Sequence, residues 1–171
     1  VKSLSVAGVV APGNSPGKIT VLNSFSMQGT GVYKAEILDK DHYDQIVAQS
    51  VQLSNGGNSS KLELVYLPGG TIKKGDTFTI INNNGSAPVQ GTFNGLPEGA
   101  EFAVDGATFK ISYVGGDGND VVLTAQNDST GPKAPNTGGE NVAVNLAGTI
   151  VGVASAAILL FMAKRKSFGK K

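Results

Sequence analysis

From Asn141 to Ala163 the chain runs for 23 residues without a charge, and Lys164, Arg165 and Lys166 follow at once. Few features constrain a chain more. At ~1.5 Å rise per residue a helix of that length reaches about 34 Å, enough for a hydrocarbon core of roughly 30 Å. No water inside a bilayer can satisfy backbone groups, and a helix satisfies them within one segment. A soluble core helix would carry a polar stripe, whereas Asn145, Thr149 and Ser155 are scattered. Residues 141–163 are therefore expected to form one transmembrane α-helix. Gly148 and Gly152 make a small-xxx-small pair, either a packing face or the glycine content ordinary in such helices. Positive charge resists translocation, so Lys164, Arg165 and Lys166 hold the tail 164–171 in the cytoplasm and everything before residue 141 outside.

Charge is divided along the chain. Residues 1–130 carry eight Lys against twelve Asp or Glu, a balance of −4, although the whole chain is +1. An acidic body excludes nucleic acid as a partner, because phosphate binding needs a cationic face. There is no cysteine, which removes disulfides and thiolate metal sites from consideration. The chain opens at Val1 with neither Met nor a charged-then-apolar leader, so it is expected to be a piece of a longer protein.

Between body and membrane segment, residues 127–140 are polar and rich in Pro and Gly, the composition of an extended linker. Inside it lie Ala134, Pro135, Asn136, Thr137 and Gly138. With the apolar run and basic tail behind it, this motif resembles the sorting signal of sortase-anchored surface proteins, Leu-Pro-any-Thr-Gly. The first position differs, Ala134 standing where the family has Leu. The resemblance implies that a sortase cysteine attacks the Thr137 carbonyl, releases the chain from Gly138 onward, and passes the acyl group to a cell-wall peptide amine. A permanent membrane anchor is the alternative.

Residues 1–126 are expected to form a β-rich extracellular domain. Apolar residues alternate in Lys61–Leu67 and Thr108–Val114, which suits sheets with one buried face. Further strands are expected at Leu4–Val10, Lys18–Met27, Val32–Leu38, Gln45–Leu53, Thr77–Asn82, Gly91–Phe93, Glu101–Val104 and Asp120–Ala125. Turn dipeptides such as Asn84-Gly85 and Asp105-Gly106 separate them. The stretches Val6–Gly17, Tyr43–Val47, Gly75–Ile80, Gly91–Ala100 and Ile111–Thr124 resemble, in order, the terminal region of autotransporter-associated β-strand repeat proteins of bacteria. That resemblance implies a right-handed parallel β-helix, or solenoid, ending in an antiparallel cap, with no catalysis. No outer-membrane β-barrel follows here, which favours a cell-wall or cytoplasmic-membrane anchor. The same alternation also permits a β-sandwich.

Three clusters bear chemistry. Gly115–Leu123 fits the calcium-binding nonapeptide Gly-Gly-x-Gly-x-Asp-x-apolar-x, with Asp117 and Asp120 as candidate Ca²⁺ ligands. Such sites are completed by a neighbouring repeat and only one copy exists, so a glycine-rich hairpin is the plainer account. Asp39, Asp41 and Asp44 surround the single histidine, His42, as a metal cluster or a solvated turn. Glu98 and Glu101 suggest either a paired-carboxylate site or two acids that fall by chance near a Pro-Gly turn. No nucleophile has an identifiable partner, so no enzymatic activity and no obligatory cofactor are expected. The chain is then either the stalk and anchor of a cell-surface protein or an adhesin binding glycan or protein of a host or neighbouring cell. Exposed Tyr33, Tyr43, Tyr66 or Tyr113 would favour the adhesin, because sugars stack on rings.

Overall fold

The structure, a computed structural model, describes residues 1–55 and 58–134. The chain begins with β1 (Leu4–Val6), β2 (Val9–Val10) and β3 (Lys18–Thr20). It continues through β4 (Ser24–Met27), β5 (Val32–Asp39), β6 (His42–Tyr43) and β7 (Gln45–Ala48). Next come β8 (Ser50–Gln52), β9 (Ser54–Asn55), β10 (Asn58–Ser59), β11 (Lys61–Tyr66), β12 (Thr71–Ile72) and β13 (Thr77–Asn83). The last are β14 (Glu101–Val104), β15 (Ala107–Gly115), β16 (Asp120–Ala125) and β17 (Ser129–Thr130).

Three sheets are visited repeatedly in the same order. Strands β1, β4 and β8 pair in parallel, as do β2, β5 and β11, and as do β3, β7 and β13. In-register parallel pairing puts partners on the same face. Leu4, Phe25 and Val51 thus form one column, Val10, Tyr33 and Leu62 a second, and Ile19, Ile46 and Ile81 a third. Between them these columns supply much of the core, with Phe25, Tyr33, Ile46 and Ile81 fully buried. In β5 the alternation is strict: Tyr33, Ala35 and Ile37 point inward.

After β13 the pairing changes sense. Strand β16 is buried at nearly every position, so neither face is free for solvent. It takes a neighbour on each edge, antiparallel β13 on one side and antiparallel β15 on the other, and β14 closes the sheet beyond β15. The result is a six-stranded mixed sheet in the order β14-β15-β16-β13-β7-β3.

This corrects the expected fold class. The described residues are all-β and contain no helix, and their strands are distributed over separate sheets with no closed solenoid. The antiparallel sandwich fails as well, since the parallel pairs exclude it. Physically, each return of the chain contributes strands of only two to eight residues, broken at Gly- and Asn-rich turns. Three of the expected strands prove to be two each. Leu4–Val10 breaks at Ala7-Gly8, Lys18–Met27 at Val21–Asn23, and Gln45–Leu53 at Gln49, where the chain crosses between sheets. Gly91–Phe93 is no strand, holding only an isolated bridge from Phe93 to Leu96. Among the described residues no helix is long and apolar enough to cross a membrane. The helix expected over 141–163 lies outside them, as does the tail with Lys164, Arg165 and Lys166.

Candidate functional site

The glycine-rich segment after β15 is a tight hairpin. Gly115 pairs with Asp120, and the Gly118 amide donates to the Gly115 carbonyl at 2.8 Å. Gly116 lies at φ 59°, and a Cβ there would meet the Asp120 carboxylate, so this turn needs glycine. The two candidate calcium ligands take different places. Asp117 is exposed at the tip, whereas Asp120 is buried and its Oδ1 accepts the Asn83 amide at 2.8 Å. Between them Asn119 is buried, and its Nδ2 donates to the carbonyls of Gly85 at 2.5 Å and Ala87 at 3.3 Å. Asn119 Oδ1 is left without a protein partner. The hairpin therefore fastens the loop after β13, a role invisible in a motif read by spacing alone. Among the described residues no three His, Cys, Asp or Glu side chains converge as a metal group.

The acids around His42 separate in the same way. Asp39 Oδ1 accepts the amides of Asp41 and His42, each at 2.9 Å, and lies 2.8 Å from His42 Nδ1. That is a side-chain-capped turn at the surface. Asp44 is different. It is 1% exposed, with Oδ1 accepting the Gly17 amide at 2.6 Å and Oδ2 accepting the Glu36 amide at 3.0 Å. One carboxylate thus ties the loop before β3 to the middle of β5. Reading Asp44 as part of a solvated turn was wrong, and a signal was present: it shares parity with Ile46 and Ala48, the inward face of β7. Glu98 and Glu101 meet different partners. Glu98 Oε2 accepts the Tyr113 amide at 2.6 Å, and Glu101 stands across the ladder from Lys110.

Burial pushes the carboxyls of Asp44 and Asp120 above the ordinary carboxylate range, against the backbone amides that favour their ionised forms. An acid that binds its proton more tightly when folded contributes stability below the unfolded value of about 3.9, and that contribution fades as pH rises through the folded values. Wild-type stability should therefore decline from about pH 4 upward, more steeply than in an Asp44→Asn/Asp120→Asn double variant. Urea midpoints measured across that range check this; parallel profiles would reject it. Asp39 and Asp128 act in the opposite sense, both lowered first by backbone amides, and their contribution is lost at more acid pH.

Tyrosine placement bears on recognition. Tyr33, Tyr66 and Tyr113 are buried, and each hydroxyl donates to a backbone carbonyl: Ile80 at 3.0 Å, Ser129 at 2.9 Å and Leu96 at 2.7 Å. Burial pushes the Tyr113 hydroxyl up to about 12. Tyr43 is half-buried, with its ring set edge-on to Phe78 at 5.5 Å. Three of these four rings are therefore inside the body, and Tyr43 is partly covered.

Of the sorting-like motif, Ala134 is described and exposed, while Pro135, Asn136, Thr137 and Gly138 lie outside the described residues. The chain approaches that motif along a path that sequence reasoning missed. Residues 127–132, expected as free linker, are bound to the body through β17, which pairs antiparallel with β12. No protein-family model matches this chain, and no curated protein matches it.

Proposed function

We propose that the chain is the stalk and anchor of a bacterial cell-surface protein. In this reading residues 1–126 form a rigid extracellular body, and residues 134–171 fasten it to the cell wall or cytoplasmic membrane. One observation carries the stalk over the adhesin: the rings of Tyr33, Tyr66 and Tyr113 are spent inside the body, their hydroxyls bonded to its own carbonyls. A sugar-binding surface would present such rings outward. One acid from each of the three clusters, Asp44, Asp120 and Glu98, is likewise engaged with a backbone amide. Support for anchoring comes from the order of segments. A Pro- and Gly-containing motif, an uncharged run and a cationic end follow one another, with only Gly139 and Glu140 between the first two.

Cell fractionation with mass spectrometry of the C-terminus tests the reading. Expressed behind a secretion leader in a sortase-bearing host, the chain should partition with the envelope, and removal of residues 141–171 should release it into the medium. A cell-wall peptide on Thr137 identifies sortase transfer. Lys171 retained in the membrane fraction identifies a permanent anchor instead. An intact chain free in the aqueous fraction overturns both.

A further inference from the structure

Residues 127–132 leave the body by a route made of many small attachments. The amide of Thr108 donates to Asn127 Oδ1 at 2.7 Å, and Asn127 Nδ2 donates to the Gly106 carbonyl at 2.9 Å. Asp128 Oδ1 accepts the Lys74 amide at 2.8 Å, with Lys73 Nζ 3.4 Å from its Oδ2. Ser129 and Thr130 pair with Ile72 and Thr71, and the Ser129 carbonyl also takes the Tyr66 hydroxyl at 2.9 Å. Gly131 donates to the Gly70 carbonyl at 2.9 Å, and Gly69 donates to the Pro132 carbonyl at 3.3 Å. The approach is close: a Cβ on Gly131 would stand 2.2 Å from the Leu67 carbonyl oxygen. The segment thereby joins the turn after β14 and the start of β15 to β11, β12 and the turn between them.

What lies directly behind this segment gives it a purpose. Strand β16 ends at Ala125, only two residues before Asn127, and it is the strand that holds β15 to β13. Tension applied at the C-terminal side would, without the strap, act straight on β16. Extracting β16 would divide the six-stranded sheet and open the core. The strap and β16 differ in strength. The strap is held by a two-residue ladder, two turn hydrogen bonds and exposed or part-buried side chains, whereas β16 is buried and paired along both edges. Under load the strap yields first, and because the body beneath stays folded, it can re-form when load falls.

We propose that Asn127–Pro132 is a reversible tension latch, which detaches from the β12 side of the body to lengthen the tether before force reaches β16. Release of these six residues frees roughly 20 Å of extended chain. The role as a tether rests on the anchoring reading, but the latch is a property of the body and is measured apart from any cell envelope.

The chain has no cysteine, so Lys2→Cys and Ala134→Cys, both at exposed positions, provide unique handles for pulling the full chain in detergent. A small reversible lengthening should precede the main rupture, which releases roughly 400 Å. Under constant tension, Asp128→Ala should shorten the lifetime of the latched state about tenfold, as expected for loss of hydrogen bonds to a charged group. Tyr66→Phe should shorten it in the same direction by less, and the main rupture should keep its force in both. Asp41→Ala, at a surface turn, should leave both events unchanged. A single rupture with no earlier step overturns the latch, as does an early step indifferent to Asp128→Ala and Tyr66→Phe. Failure of the chain to reach the envelope would instead overturn the anchor and leave these force measurements standing.

Discussion

Phe78→Ala is expected to lower the unfolding free energy by about 3–5 kcal/mol. Phe78 is fully buried in β13, across the ladder from Leu123 of β16. Its ring meets Tyr43 edge-on at 5.5 Å and Phe109 at 5.9 Å, and Phe109 in turn lies 5.9 Å from Phe102. The residue therefore stands where the parallel returns of the chain join the antiparallel strands. Removing the ring forfeits the transfer energy and leaves a cavity that paired strands on both sides cannot collapse to fill. Domains of this size are stable by only about 5–15 kcal/mol, so the loss would be a large share. Urea denaturation should show a lower midpoint at an unchanged slope. A loss under about 1 kcal/mol would mean that the aromatic cluster does not join the two halves.

Asp44→Ala should cost about 2–4 kcal/mol, because it leaves the part-buried amides of Gly17 and Glu36 without acceptors. The magnitude comes from the orphaned donors rather than from lost charge, since burial already disfavours the ionised carboxyl. Asp41→Ala is the contrast. That side chain is 67% exposed beside Lys40, and its removal should change stability by no more than about 0.5 kcal/mol. Equal losses in the two variants would show that Asp44 does not fasten β5 to the loop before β3.

Much of the body was legible locally. The alternation in Lys61–Leu67 and Thr108–Val114 appears as β11 and β15, and the glycine-rich turn at Gly115–Gly118 appears as the hairpin its composition favours. Apolar residues at Tyr33, Ala35 and Ile37 mark an inward face that period-two counting finds directly. The candidate sites were less legible. Residue type makes Asp120 a candidate ligand and Asp44 a member of a metal cluster or a solvated turn, yet each is turned to a backbone amide contributed from elsewhere in the chain. Composition marked 127–132 as linker because Asn, Asp, Ser and Gly favour turns. Nothing local indicates that Asp128 meets the amide of Lys74.

Local order along the chain was enough to mark the alternating faces of β5, β11 and β15, the turn at Gly115–Gly118, and that an uncharged run ends in a cluster of cations. Only the tertiary structure decided which strand pairs with which, where β4 and β8 begin, and how the exit of the chain is strapped down. The reason is range. Side-chain alternation is set by a strand's own geometry, whereas the partner of Leu4 is Phe25 and that of Ser129 is Ile72. Pairings across such separations are selected by the whole core at once, when burial of many side chains together offsets the entropy of closing the loops between them.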